Sequence, residues 1–106
     1  MKQLQIVGPN QPEWQDADMP HAGMGEVLLK VEAITTCPHW DLHMMSGEPM
    51  FPGGRVDYPL TPGQPGHELV GSVVEVGGGV ADLHVGARVA AWRDRGANVL
   101  LGDYAQ

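Results

Sequence analysis

The chain has 106 residues, enough for one domain with a single hydrophobic core. Thirteen acidic residues against six Lys and Arg give a formal net charge of −7, which disfavours nucleic acid or an anionic membrane surface as a partner. No apolar run approaches the ~20 residues that a membrane-spanning helix needs, and the N-terminus lacks the pattern of a signal peptide. We therefore expect one soluble, cytoplasmic domain over residues 1–106.

Short apolar runs separated by turns run through the sequence, which contains 15 glycines and nine prolines. This pattern is typical of an all-β domain and predicts a barrel or a sandwich-like module. Lys2–Val7 is predicted to be the first strand, ended by Gly8-Pro9. Gln11–Asp16 is predicted to pair with it as a hairpin, although Pro12 weakens that strand.

Glu26–Thr36 is the clearest predicted strand, because its apolar residues alternate along the run. The alternation assigns four residues to the core face: Val27, Leu29, Val31 and Ala33. Trp40–Ser46 is the one good helical stretch, and Gly47 follows where a helix would end.

Residues Glu48–Gln64 show no periodicity and are rich in proline, so we predict a long surface loop that shapes or covers a site. Glu68–Val76 is predicted to be a strand with its valines at 70, 74 and 76 on one side, followed by a tight reversal over the three glycines at 77–79. Val85–Trp92 is the next predicted strand, and residues 102–106 resemble the start of another.

Possible metal ligands occur in two separate segments of the chain. Gly66-His67-Glu68 places an imidazole beside a carboxylate at the start of a predicted strand. Cys37, the single cysteine, begins a segment that contains Asp41 and His43. A lone thiol in an intracellular protein is buried, reactive or a metal ligand, and spacing alone does not choose among these. Cys37 and His67 could converge on one ion.

The segment Gly66 to Gly77, with Val85-Gly86-Ala87-Arg88-Val89 after it, resembles the G-H-E, G-x-V-x-E-V-G and V-G-D-R-V signature of medium-chain, zinc-type alcohol dehydrogenases. Gly25-Glu26-Val27-Leu28 and Gly102-Asp103-Tyr104-Ala105-Gln106 resemble two further segments of that family. The resemblance covers the family's N-terminal catalytic domain, and it implies a GroES-like, partly open β-barrel with one or two short helices. No G-x-G-x-x-G occurs between a strand and a helix, so we expect the nucleotide-binding domain to be absent from this chain.

The resemblance implies a zinc ion that lowers the pKa of an alcohol, so that a hydride can pass to NAD(P). His67 and Cys37 correspond to zinc ligands, and Glu68 to a neighbouring acid. Asp41 resembles the aspartate that accepts a hydrogen bond from the ligand imidazole. His43 resembles the proton-relay histidine. The substrate implied is a small alcohol or aldehyde.

The sequence departs from the family pattern beside Cys37. If Asp41 and His43 fix the register, the ligand position falls on Pro38, and a local bulge would be needed to bring Cys37 into place. Trp40 stands where the family has Ser or Thr. The four-cysteine structural zinc lobe is missing, and we expect the third zinc ligand to lie beyond residue 106. Zinc is therefore expected to bind weakly, and the chain alone is expected to be inactive with NAD(P).

Each candidate residue also has a simpler interpretation. His67 could be a loop histidine, Cys37 a small buried apolar residue, Asp41 a helix cap and His43 a helix-surface residue. Three functions stay open: the catalytic domain of a zinc-dependent dehydrogenase, present as a fragment or truncated product; a zinc-free domain of the quinone or enoyl reductase type; and a stand-alone GroES-like binding or self-assembling module. We also expect a homodimer or larger homo-oligomer, because an unpaired sheet edge and an apolar face should seek a partner.

Overall fold

The computed structural model describes residues 1–66 and 68–92, and at Trp92 it describes the backbone only. Within this part the chain is mainly β, with five strands and one short helix. The elements in chain order are β1 (Lys2–Gly8), β2 (Gln11–Asp16), β3 (Val27–Ile34), α1 (Pro38–Ser46), β4 (Glu68–Val76) and β5 (Arg88–Trp92). The predicted mainly-β fold is confirmed, and the described strands do not close into a barrel.

The first sheet is the predicted hairpin, in which β1 and β2 pair antiparallel. A proline-rich segment lies along the opposite edge of β1, where Leu60 N donates to the Ile6 carbonyl at 2.9 Å and Gly63 N donates to the Leu4 carbonyl at 2.6 Å. Ile6 is fully buried and Leu60 is 4% exposed, so this contact forms part of the core. Residues 63–66 are buried as well. The prediction of a surface loop is therefore wrong at the C-terminal end of Glu48–Gln64.

The second sheet has the order β3-β4-β5, with both pairs antiparallel. Val73 of β4 is 1% exposed and faces the core, whereas Val70 and Val74 are 39% and 44% exposed. The pairing of β3 with β4 shifts register between Val31 and Ala33. Such an irregularity changes which face a residue occupies, and Ala33 is accordingly exposed. The predicted core face of β3 is therefore wrong at this end of the strand.

Close backbone packing fixes the far end of the β3–β4 pair. Gly77 N donates to the Glu26 carbonyl at 2.8 Å, and Gly25 N donates to the Gly78 carbonyl at 2.7 Å. A Cβ at Gly77 would collide with the Gly23 carbonyl oxygen, so only glycine fits there. The predicted reversal at residues 77–79 is confirmed. Strand β5 begins three residues later than predicted, and the strand expected at residues 102–106 lies outside the described residues.

Candidate functional site

Helix α1 begins directly after Cys37, which is its N-cap residue. Pro38 occupies the first helical position, where the missing N–H of proline costs no hydrogen bond, so the helix starts two residues earlier than predicted. Cys37 makes no capping hydrogen bond through its side chain, and its thiol is free and half-buried. Gly47 ends the helix as predicted, with φ of 80° and its N–H donating to the His43 carbonyl at 3.0 Å.

The Asp41 carboxylate has one oxygen in use and one without a partner. Its Oδ2 accepts a hydrogen bond from the Cys37 N–H at 3.2 Å, so Asp41 helps to cap the helix. Its Oδ1 is buried and has no hydrogen-bond partner among the described residues. A buried acceptor without a donor lowers the stability of the fold, and such groups usually have a hydrogen-bond partner. Asp41 Oδ1 is therefore a candidate acceptor for a further N–H or O–H group.

The two sides of helix α1 have different surroundings. One side carries the half-buried residues Trp40, Asp41, Met44 and Met45. The other side carries the exposed residues His39 and Leu42 and the half-buried residues His43 and Ser46, which together follow the i, i+3, i+4, i+7 spacing of a single helix face. This second side borders a groove of about 460 Å³, which is also lined by Asn10, Pro38 and Glu48.

His43 is held in one orientation within this groove. Its Nδ1 lies 2.7 Å from the Glu48 carbonyl oxygen, and because a carbonyl can only accept, the Nδ1 carries the proton. The lone pair of the neutral ring is then on Nε2. The His39 ring packs edge to face against the His43 ring, with centroids 4.9 Å apart and planes at 82°. The sequence offered no partner for His39; the signal that was available is the four-residue spacing of the two histidines.

Tyr58 anchors the C-terminal turn of the helix, and sequence reasoning gave it no role. Its hydroxyl donates to the Met44 carbonyl at 2.7 Å and lies 3.3 Å from the Met45 carbonyl. Burial disfavours the phenolate and raises the pKa of Tyr58 above the usual value of 10.0. The helix that carries the candidate residues is thus tied to the proline-rich segment.

Glu68 stands at the start of β4 and is joined to Thr35, the residue that follows β3. The Thr35 hydroxyl donates to Glu68 Oε2 at 2.6 Å, and the Thr35 N–H donates to the Glu68 carbonyl at 3.1 Å. Glu68 therefore meets the chain two residues before Cys37. Sequence reasoning missed Thr35, which no motif distinguishes from Thr36.

The structure brings only some of the predicted site residues together. Cys37 and Asp41 are in direct contact, and His43 lies on the groove side of the same helix. His67 lies outside the described residues, so its convergence with Cys37 stays a prediction. Among the residues that the structure describes, no three His, Cys, Asp or Glu side chains are grouped so that they could hold a metal ion.

Two polar contacts of the second sheet were also missed by sequence reasoning. Glu32 accepts a hydrogen bond from the Ser72 hydroxyl at 2.5 Å and pairs with Arg88 at 2.9 Å. The Ser72 hydrogen bond, with Arg88 beside it, lowers the pKa of Glu32 below its usual value of 4.5. His21 Nδ1 lies 3.1 Å from Glu75 Oε2. The partners of Glu32 and of Glu75 lie far from them in sequence, and so nothing in the local sequence reveals these contacts.

The helix of the described residues is too short and too polar to cross a membrane.

Comparison with known proteins gives a consistent result. Residues 23–105 match the family model described as the alcohol dehydrogenase GroES-like domain. An alcohol dehydrogenase of Geobacillus stearothermophilus is 42% identical over 80 residues, which are 73% of this chain and 21% of that protein. An alcohol dehydrogenase of Schizosaccharomyces pombe is 35% identical over 96 residues, covering 83% of this chain and 25% of the relative. An L-threonine 3-dehydrogenase of Thermococcus kodakarensis is 43% identical over 74 residues, or 70% of this chain and 20% of the relative.

The chain thus spans about a fifth to a quarter of the length of these curated relatives. The family model covers well over half of the chain, including all of β3, α1, β4 and β5. The chain belongs to the alcohol dehydrogenase GroES-like domain family.

Proposed function

We propose that this chain is the zinc- and substrate-binding domain of an alcohol dehydrogenase-like oxidoreductase that uses NAD(P). The observation that carries the proposal is the Asp41 carboxylate beside the backbone of Cys37, because one of its oxygens is buried and has no partner within residues 1–66 and 68–92. A purely structural cap needs only the oxygen that already binds Cys37. The second oxygen is suited to a further donor, such as an imidazole N–H.

The donor set fits a zinc ion. A thiolate from Cys37 and an imidazole from His67 are both ligand types that zinc prefers. Asp41 Oδ1 would accept the N–H of the ligand imidazole, which fixes the tautomer and the orientation of that ring. The pairing of Glu68 with Thr35 supports this arrangement. His67 directly precedes Glu68 in the sequence, and Thr35 is two residues before Cys37.

When bound, zinc supplies a Lewis acid toward the alcohol, and NAD(P) supplies the hydride acceptor. The residues of this chain would position the alcohol and carry its proton away. His43 is suited to be the last acceptor of a proton relay rather than a direct contact of the alcohol, because it lies on the groove side of the helix, away from Asp41. Its Nδ1–H is held by the Glu48 carbonyl, and its Nε2 can accept a proton when the ring is neutral. Glu68 would lie behind the ligand imidazole, and its carboxylate is kept in place by the Thr35 hydroxyl. NAD(P) is proposed to bind outside residues 1–106.

The metal content of the purified protein tests this proposal. We expect zinc that is lost in Cys37→Ser and in His67→Ala and retained in His84→Ala, which serves as the matched control because His84 is an exposed histidine of another turn. Zinc retained in full by His67→Ala would refute the ligand assignment. Complete absence of zinc in the unmodified protein, with reductase activity in a longer protein that contains this chain, would favour the zinc-free alternative.

A self-assembling module is the second candidate, and the exposed apolar side of β4 favours it. Val70 and Val74 lie four residues apart in β4, and their exposed fractions are 39% and 44%. We propose that this surface contributes to a homo-oligomer of a cytoplasmic protein. Light scattering at high concentration should show a dimer or larger species, and Val74→Lys should reduce it. A monomer at every concentration would refute the assembly.

A further inference from the structure

We infer that His39 and His43 together form a two-histidine site for a divalent transition-metal ion on the groove side of helix α1. The site is separate from the proposed Cys37 and His67 pair. It requires no residue outside the described part of the chain. The ions suited to it are those that imidazole binds well, namely nickel, copper and zinc.

The spacing of the two histidines is the first argument. Residues four apart on an α-helix lie one above the other on the same face, about one turn apart. Two histidines at this spacing can bind one ion together, as they do in the zinc-binding H-E-x-x-H helix motif. His39 and His43 lie within the single helix Pro38–Ser46, so the spacing is realised in the structure.

The geometry of the rings is the second argument. The ring centroids are 4.9 Å apart, which leaves room for an ion between nitrogens of the two rings after a small rotation of the His39 side chain. The Glu48 carbonyl already holds His43 Nδ1–H at 2.7 Å. Metal-binding histidines commonly have their second nitrogen held by a carbonyl in this way, which fixes the tautomer and directs Nε2 at the ion. In the described part of the chain, no hydrogen bond engages the His39 ring.

The charge of the surroundings is the third argument. The groove beside the two rings is lined by no lysine or arginine, and Glu48 contributes a carboxylate to its wall. The whole chain carries a formal net charge of −7, so its long-range field attracts cations. Water molecules would complete the coordination of a bound ion.

This site and the proposed zinc ligands lie on opposite sides of the helix. Asp41 is two residues from each histidine, and two residues turn an α-helix by about 200°. Asp41 directs its carboxylate at Cys37, whereas His39 and His43 border the groove. An ion held by the two histidines therefore leaves the Cys37 side free, and the two sites can be tested independently.

Titration of the metal-free protein with Ni²⁺ tests the inference. The protein would carry Cys37→Ser and His67→Ala, so that the proposed zinc ligands cannot contribute. We expect one Ni²⁺ per chain, and we expect His39→Ala or His43→Ala to weaken binding by about 100-fold, because one ligand then binds without the chelate advantage of the second. His84→Ala should leave the affinity unchanged.

A change of spacing separates chelation from a general loss of structure. Leu42 is exposed on the same face, one turn from His39, so Leu42→His combined with His43→Ala rebuilds a pair at i and i+3. We expect this double substitution to restore most of the Ni²⁺ affinity. Circular dichroism would check that each variant keeps its fold. Equal Ni²⁺ affinities for the protein with both histidines, for His39→Ala and for His84→Ala would overturn the inference.

Discussion

Replacement of Asp41 by alanine separates its two roles, because it should weaken zinc binding without destabilising the metal-free protein. Loss of the hydrogen bond from the Cys37 N–H, which is long at 3.2 Å, should cost about 0.5–1 kcal/mol. Removal of the unpaired buried Oδ1 should return about 1–3 kcal/mol, the usual penalty for an unsatisfied buried group. The two terms oppose each other, so the metal-free protein should be unchanged or more stable by up to about 2.5 kcal/mol.

The effect on zinc binding should have the opposite sign. Loss of the residue that orients a ligand imidazole typically weakens metal binding by about 10–100-fold. The assay is a competition titration with a zinc chelator, paired with urea unfolding of the metal-free protein. Asp41→Asn is the matched variant: its one amide oxygen can keep the bond to the Cys37 N–H, but it leaves no second oxygen for an imidazole N–H.

The refuting result is equally clear. If Asp41→Ala destabilises the metal-free protein by about 0.5 kcal/mol or more, the carboxylate acts mainly as a helix cap and Oδ1 has a partner in solution. Unchanged zinc affinity in both Asp41 variants would remove the observation on which the proposed function depends.

Three further predictions concern the scaffold and its pH dependence. Gly77→Ala should destabilise the protein by roughly 1–3 kcal/mol in urea unfolding, because a Cβ there collides with a backbone carbonyl, whereas Gly78→Ala meets only a flexible methionine side chain and should be tolerated. The pKa of Tyr58 is raised in the folded state, so its contribution to the free energy of unfolding is complete below pH 10.0 and should decline as the pH rises through the folded pKa. Tyr58→Phe should abolish this alkaline loss of stability. A loss of equal size in that variant would contradict the assignment. The pKa of Glu32 is lowered in the folded state, so its contribution to stability is present above pH 4.5 and is lost as the pH falls through the folded pKa. Ser72→Ala should raise this pKa toward 4.5 in an NMR titration. An unchanged pKa would show that the Ser72 hydroxyl is not the cause.

Local patterns predicted most of the elements. The hairpin β1–β2 follows from the strand Lys2–Val7 and the turn signal Gly8-Pro9 that ends it, and the alternation in Glu26–Thr36 predicted β3. The end of helix α1 follows from Gly47, which adopts the left-handed conformation that glycine favours. In each case a few neighbouring residues determine the backbone conformation, and the sequence shows those residues directly.

Features that depend on distant contacts were not predicted. The proline-rich segment looked like a surface loop, but Leu60 and Gly63 donate hydrogen bonds to the free edge of β1, and this pairing buries the end of the segment. The exposure of Ala33 depends on a register shift between two strands, which a single strand's alternation does not reveal. The tautomer of His43 is set by a backbone carbonyl five residues away, and any residue could have supplied that carbonyl.

The pairing of β3 with β4 explains why ligand residues so far apart in sequence are reasonable partners. In an antiparallel pair, the end of one strand lies beside the start of the other. Ile34 pairs with Leu69, and Thr35 continues the contact to Glu68. The residues after β3, which lead to Cys37, and the start of β4, which follows His67 in sequence, therefore meet at one end of the sheet. A shift of this register by two residues would displace the two segments by about 7 Å, more than the length of two metal–ligand bonds. The proposed zinc site thus depends on the strand register, and a substitution that disturbs it, such as a side chain at Gly71 packed against the Lys30 carbonyl, should weaken zinc binding without touching a ligand.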